Sequence, residues 1–207
     1  MNTKVSVLLA TLLAATAPFA SAANVAAGAA VTTTGAGFFA PDTTGPWGTG
    51  SGAALSTVVD GVTVADGQQW NMGTVFWIGN DNTLDIQLTG AATVSSIFLQ
   101  GDNNDAYAVT YEDLAGNWLP AGTISPNGSA YGPGSVGWGM GAGTYTFASA
   151  VDAQAFRITA TGDNYYAVSE FQANGEFLPA VPEPTSALML LAGLGALGAA
   201  ARRRAAR

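Results

Sequence analysis

The chain contains no cysteine and no histidine. Without cysteine no disulfide holds the fold together, even in a compartment that would permit one. Without histidine the commonest general base, the commonest zinc ligand and every Ser-His or Cys-His nucleophile pair are excluded. Positive charge is almost as scarce. Only 6 of the 207 residues are Lys or Arg, against 14 Asp or Glu. Lys4 stands near the start, and Arg202, Arg203, Arg204 and Arg207 stand at the end. Residues 23–180 are left with 13 acids and one base, Arg157, a net charge of −12. Such a surface repels nucleic acid and anionic lipid, so no nucleic-acid partner is expected. It favours solubility, and divalent cations would screen it. Also missing between Ala23 and Ala180 is any long apolar stripe at the helical period of 3.6.

The two ends carry the apolar runs that the middle lacks. Lys4 supplies a positive n-region, Val5 to Ala15 an apolar h-region, and Ala20-Ser21-Ala22 a small-x-small pattern. Residues 1–22 therefore read as a signal peptide cleaved before Ala23. At the other end Val181, Pro182, Glu183 and Pro184 precede an apolar run over 185–201, and the basic segment 202–207 follows. As a helix, residues 185–201 rise ~1.5 Å each and reach ~25 Å, just enough for a thin hydrocarbon core. Arg202, Arg203, Arg204 and Arg207 form a membrane stop that stays on the cytoplasmic side.

This three-part tail, residues 179–207, resembles the PEP-CTERM sorting signal of Gram-negative bacteria. The resemblance implies handling by an exosortase, a membrane protease-transpeptidase that cuts near the motif, and an association with biofilm and exopolysaccharide. It predicts export through the inner membrane, transient anchoring there by a C-terminal transmembrane helix, and a final place on the cell surface or in the extracellular matrix. A plain anchor with a proline-rich stalk is the alternative, but it does not need Pro-Glu-Pro at that place.

The middle reads as all-β. Gly, Thr, Asn and Asp punctuate short runs of β-branched and aromatic residues. Residues 83–89 alternate, with Leu84, Ile86 and Leu88 on one face and Asp85 and Gln87 on the other. Residues 95–100 read as a more buried strand. Residues 106–111 place Tyr107, Val109 and Tyr111 inward, and residues 156–160 do the same with Phe156 and Ile158. Such strands without intervening helices predict an antiparallel β-sandwich. Residues 23–52, rich in Thr, Gly and Ala, read as a flexible lead-in or an edge strand, and residues 127–143 as a Gly-rich loop carrying Tyr131 and Trp138.

One segment echoes another. Gly101-Asp102-Asn103-Asn104-Asp105 runs into Ala106-Tyr107-Ala108-Val109, and Gly162-Asp163-Asn164 runs into Tyr165-Tyr166-Ala167-Val168. Asx turns explain both, since Asp and Asn side chains accept from backbone N–H groups two residues on. A calcium site is the sharper reading, because clustered carboxylate and amide oxygens are hard ligands.

Together, Val59-Asp60-Gly61, the runs 83–88, 97–105 and 107–111, and the closing run 156–171 with Arg157-Ile158-Thr159-Ala160 and Val168-Ser169-Glu170 resemble a discoidin-like domain (coagulation-factor type C). That is a galactose-binding-like β-sandwich jelly roll, expected over residues 53–178 with 83–88 as its first core strand. The terminal cysteine pair of the animal members is absent. The resemblance implies carbohydrate or membrane-surface binding through loops at one end. It also implies a structural calcium held by an Asp-Gly loop near the start and the Glu of the final strand, here Asp60 and Glu170.

Aromatic faces stack on pyranose C–H faces, and Asn, Asp and Gln bond sugar hydroxyls. Trp77, in an apolar run, reads as core. Trp138 and Tyr131, in the Gly-rich loop, and Asp102, Asn103, Asn104 and Asp105, in the first turn, are the candidate ligand residues. The leading expectation is a non-catalytic module that binds exopolysaccharide or another extracellular glycan. A structural surface protein without a specific ligand is the second. A glycosidase using paired carboxylates such as Asp102 and Glu170 is the third, and it needs the two carboxyls about 5–10 Å apart across a cleft.

Overall fold

The computed structural model describes residues 22–45, 48–129, 138–179, 189 and 191–194. The signal peptide, Tyr131, the motif Val181-Pro182-Glu183-Pro184, most of the apolar run and the four terminal arginines lie outside the described residues. Met189 and residues 191–194 are helical, and among the described residues no helix is long and apolar enough to cross a membrane.

Among the described residues nine strands make the fold: β1 (Ala23–Asn24), β2 (Ala30–Thr34), β3 (Ser51–Gly52), β4 (Met72–Ile78), β5 (Thr83–Asp102), β6 (Ala106–Glu112), β7 (Trp118–Ile124), β8 (Met140–Thr161) and β9 (Tyr165–Phe177). A 3-10 turn over Leu55–Val59 buries Val58 and Val59. The ladder order is β3-β4-β9-β5-β8-β6-β7, with β1 on β9 and β2 on β5. All pairings are antiparallel except the short parallel contact of β3 with β4. The long strands β5 and β8 serve both layers. Residues 83–87 of β5 lie between β2 and residues 155–159 of β8, whereas residues 92–101 lie between β9 and residues 141–153 of β8. The register shifts between Gln87 and Ala92 and again between Val94 and Ser96. Strands that change layer through such irregularities close a sandwich without a break in the chain.

The expected alternation is present: Leu84, Ile86, Tyr107, Val109, Phe156 and Ile158 are buried, and Trp77 is wholly buried with them. Tyr111 is only half-buried, packed edge-on against Phe147. Three expectations change. Residues 83–89 and 95–100 are not two strands but parts of one. Residues 83–88 are not the first strand of the sandwich, since β1 to β4 precede them. Of the two readings of residues 23–52 the edge strand holds, since β2 pairs with residues 83–87, but the segment belongs to the sandwich, because Val25, Ala26 and Ala29 join its core. The start of the domain therefore lies at β1, not at Ala53.

Candidate ligand-binding site

The two echoing turns, 58 residues apart at Asp105 and Asp163, meet at one end of the sandwich. Asn104 Nδ2 donates to Asp163 Oδ2 at 2.9 Å, and the Asp163 N–H donates to Asp105 Oδ1 at 3.2 Å. Asp163 Oδ1 accepts from the Tyr165 N–H at 3.0 Å, an Asx turn. Gly162 has no room for a side chain, because a Cβ there would lie 1.8 Å from Asp105 Oδ1. Behind them Tyr107 Oη donates to the Ala167 C=O at 2.8 Å and accepts the Asp102 N–H at 3.0 Å.

The ends of the Gly-rich segment are clamped to the same place. Ser129 donates its N–H and its hydroxyl to the two Asp66 oxygens, at 3.0 and 2.6 Å, which holds the Asp66 carboxyl below its ordinary range. Asn103 Nδ2 donates to the carbonyls of Gly128 and Ser129. At the other end the Trp138 C=O accepts the Trp70 N–H at 3.1 Å, and the Met140 N–H donates to Gln68. Trp138 is 56% exposed and has φ +66°, in the left-handed region that bulky residues avoid.

These contacts enclose a cavity of about 280 Å³ lined by Thr49, Gln69, Trp70, Asn71, Asp102, Trp138, Asp163 and Tyr165. Trp138 and Tyr165 present exposed rings, while Trp70 is buried with its ring centroid 6.3 Å from that of Tyr165. Of the expected ligand residues the cavity gathers Trp138 and Asp102. Asn103, Asn104 and Asp105 do not line it. They brace the loop and Asp163 instead. Trp70, Asn71, Asp163 and Tyr165 were not anticipated as ligand residues. Asp163 and Tyr165 belong to the second turn of the echo, a signal that could have found them, whereas Trp70 and Asn71 join the cavity through contacts between distant segments.

Burial pushes the Asp102 carboxyl up to about 8, helped by the carboxylates of Asp105 and Asp163 and opposed by the N–H groups of Asn104 and Asn103. Burial likewise pushes Asp105 up to about 7, against the hydrogen bond from the Asp163 N–H and with the Asp163 carboxylate adding to the rise. Glu170 forms a separate group. It is fully buried, and its Oε2 accepts the Gly61 N–H at 3.2 Å. Burial raises it to about 7, against the hydrogen bonds of the Gln172 side chain and the Gly61 N–H and with the Asp60 carboxylate adding to the rise. Asp60 and Glu170 thus come together at the Asp-Gly loop. The Gln172 side chain reaches the Glu170 carboxyl, but Oε1 is buried without a good hydrogen bond among the described residues, a hard oxygen of the kind a divalent cation takes. Among the described residues no group of three or more acidic side chains gathers for a metal, so backbone or water oxygens would supply the remaining ligands. Glu170 does not line the cavity that Asp102 lines, so the two do not flank a common described cleft.

Comparison with known proteins agrees with this architecture. The family 32 carbohydrate-binding module of Clostridium perfringens NanJ, solved in complex with galactose, superposes with a TM-score of 0.50 at 15% identity, covering 74% of this chain and 98% of that one. The family 32 module of Streptococcus pneumoniae EndoD gives a TM-score of 0.46 at 15% identity, covering 73% of this chain and 98% of that one. The lectin domain of Lectinolysin, complexed with Lewis B antigen, gives 0.48 at 13%, covering 74% and 97%. The sandwich therefore has the galactose-binding-like fold of the family 32 carbohydrate-binding modules. Residues 180–204 match the PEP-CTERM protein-sorting motif, so the chain carries that sorting signal at its C-terminal end. No curated protein matches the sequence.

Proposed function

We propose that this chain is an exported, non-catalytic glycan-binding protein whose ligand sits in the cavity formed by Trp138, Tyr165, Asn71, Asp102 and Asp163. The observation that carries the reading is the cavity itself: exposed aromatic faces beside amide and carboxyl groups, at one end of a sandwich whose fold is shared with sugar-binding modules. The ligand is an exopolysaccharide or another extracellular glycan. An exosortase processes the tail, so that the protein is held at the inner membrane only until it is passed to the cell surface or matrix. Calorimetric titration of the full chain in detergent with the producing cell's exopolysaccharide and with galactose should show saturable binding that Trp138→Ala removes. Binding unchanged by that substitution would place the ligand elsewhere. Hydrolysis of the glycan would favour the glycosidase reading instead.

The same reading includes a structural calcium at Asp60 and Glu170. A bound cation would neutralise charge in a domain of net −12 and take up the buried Glu170 Oε1. Binding to the folded state adds RT ln(1 + [L]/Kd), ~2.7 kcal/mol at a hundredfold excess over Kd. Millimolar calcium should therefore raise the melting temperature more than sodium chloride of equal ionic strength, and Glu170→Gln should erase the difference. Equal shifts from the two salts would end the calcium reading.

A further inference from the structure

The cavity offers buried acceptors that nothing among the described residues satisfies. Asn71 is 1% exposed, and its Nδ2 donates to the Thr49 C=O at 3.2 Å. That bond fixes which way the amide points and leaves Oδ1 buried without a partner. Asp102 is also 1% exposed, and its Oδ1 is likewise buried without a partner. Asp163 adds a second, exposed carboxyl to the lining. None of the described lining residues is Lys or Arg. The sole base of residues 23–180, Arg157, is held by Asp85, far along β5 from Asp102.

Acceptors and carboxyls beside exposed aromatic rings define the complementary ligand. It carries positive charge and several N–H donors in a small volume. A primary ammonium has three donors and no acceptor, and aromatic faces attract it. A carboxylated sugar would instead meet like charge. A neutral hydroxyl would donate only one hydrogen bond.

Resting on the glycan-binding reading above, we propose that the cavity is selective for a cationic amino sugar: a hexosamine unit whose free, protonated amine sits among Asp102, Asp163 and Asn71 while its ring lies against Trp138 or Tyr165. The preferred polymer is then a de-N-acetylated polyhexosamine. A fixed ammonium beside Asp102 favours the ionised carboxylate over the neutral acid that burial alone favours, so binding releases a proton from the protein.

Three oligosaccharides of one backbone and equal length isolate the amine: a β-1,4-glucosamine oligomer, its N-acetylated counterpart and a cello-oligomer. Each is titrated into the full chain in detergent, slightly below neutral pH. The glucosamine oligomer should bind about tenfold tighter than the other two, the margin of a charge-assisted over a neutral hydrogen bond. Asp163→Asn and Asp102→Asn should each shrink the roughly tenfold margin between the glucosamine oligomer and the neutral pair, and Trp138→Ala should weaken all three. Repeating the titration in buffers of different ionisation enthalpy should show net proton release for the glucosamine oligomer alone. Equal affinity for the three oligomers would overturn the amine selectivity and leave the glycan reading standing. Glucosamine binding that survives Trp138→Ala would overturn it as general attraction to an acidic surface. Silence toward all three, with galactose and exopolysaccharide silent too, would overturn both.

Discussion

At the scale of single residues, Trp138 is a candidate ligand residue held at a cost to the fold. Its φ of +66° is a conformation that costs an L-residue about 1–2 kcal/mol, and more than half of the side chain faces solvent. Glycine adopts that conformation without strain. Trp138→Gly should therefore leave the domain about 1 kcal/mol more stable than Trp138→Ala, the reverse of the usual order, while both lose ligand. Urea unfolding of the two variants checks this, and an Ala variant at least as stable as the Gly variant would contradict it. The raised carboxyls have their own signature. Asp102 moves from an ordinary 3.8 to about 8, Asp105 from 3.8 to about 7 and Glu170 from 4.5 to about 7. Each holds its proton more tightly folded than unfolded. The stability they contribute is thus fully present below the unfolded values and is lost as pH rises through the folded ones. In the absence of ligand and divalent cation the domain should weaken steadily between about pH 4 and pH 8, and Asp102→Asn should flatten that decline. Melting temperatures across the range test it, and a wild-type curve that rises with pH would refute the assignment.

At the scale of elements, the joint between β5, β6 and β9 holds the cavity in place. The Tyr107 hydroxyl serves the Ala167 C=O and the Asp102 N–H together, all within the buried interior. Tyr107→Phe would leave both backbone groups unpaired and should cost about 1–3 kcal/mol in denaturant unfolding. A loss below a few tenths of a kcal/mol would mean that water replaces the hydroxyl. The inward faces of β5, β6 and the end of β8 were legible because one buried face imposes a period of two on Leu84-Ile86-Leu88, Tyr107-Val109 and Phe156-Ile158. The continuity of β5 was not legible. Gly90 and the shift between Gln87 and Ala92 break the alternation, and only pairing with β8 and β9 carries the strand across. The first half of β8 was hidden for a related reason: its Gly, Ala and Thr residues have little pattern of their own, and β5 supplies their partners. In the site, Trp138 could be picked out because few local neighbours could bury it, and Asp102 because it sits in a turn. Trp70 and Asn71 could not be placed there, since contacts such as Trp70 N–H to the Trp138 carbonyl join segments far apart in sequence.

At the scale of the whole molecule, the cavity and the close of β9 lie at different ends of the sandwich. The sorting match that follows β9 includes Val181-Pro182-Glu183-Pro184, and proline in general fixes φ near −65° and biases its neighbours toward extended backbone, a preference that an exosortase cleft would use. Replacing Pro182, Glu183 and Pro184 with alanine should leave the protein in the inner-membrane fraction, and unchanged surface release on fractionation would refute exosortase handling. The first and last strands of the sandwich meet at one pole, where Ala23 pairs with Gly175. β9 runs from that pole to Tyr165 in the cavity, a path of about 40 Å at ~3.3 Å per residue. The strand that begins at the cavity therefore also ends just before the sorting segment. If the cavity holds a matrix polymer as proposed while the tail is still held at the membrane, tension would run from Tyr165 to Phe177, parallel to the ladder that joins β9 to β5 over residues 92–101. Hydrogen bonds loaded along a strand are sheared together rather than unzipped one at a time, so traction in that direction would meet the ladder's full resistance.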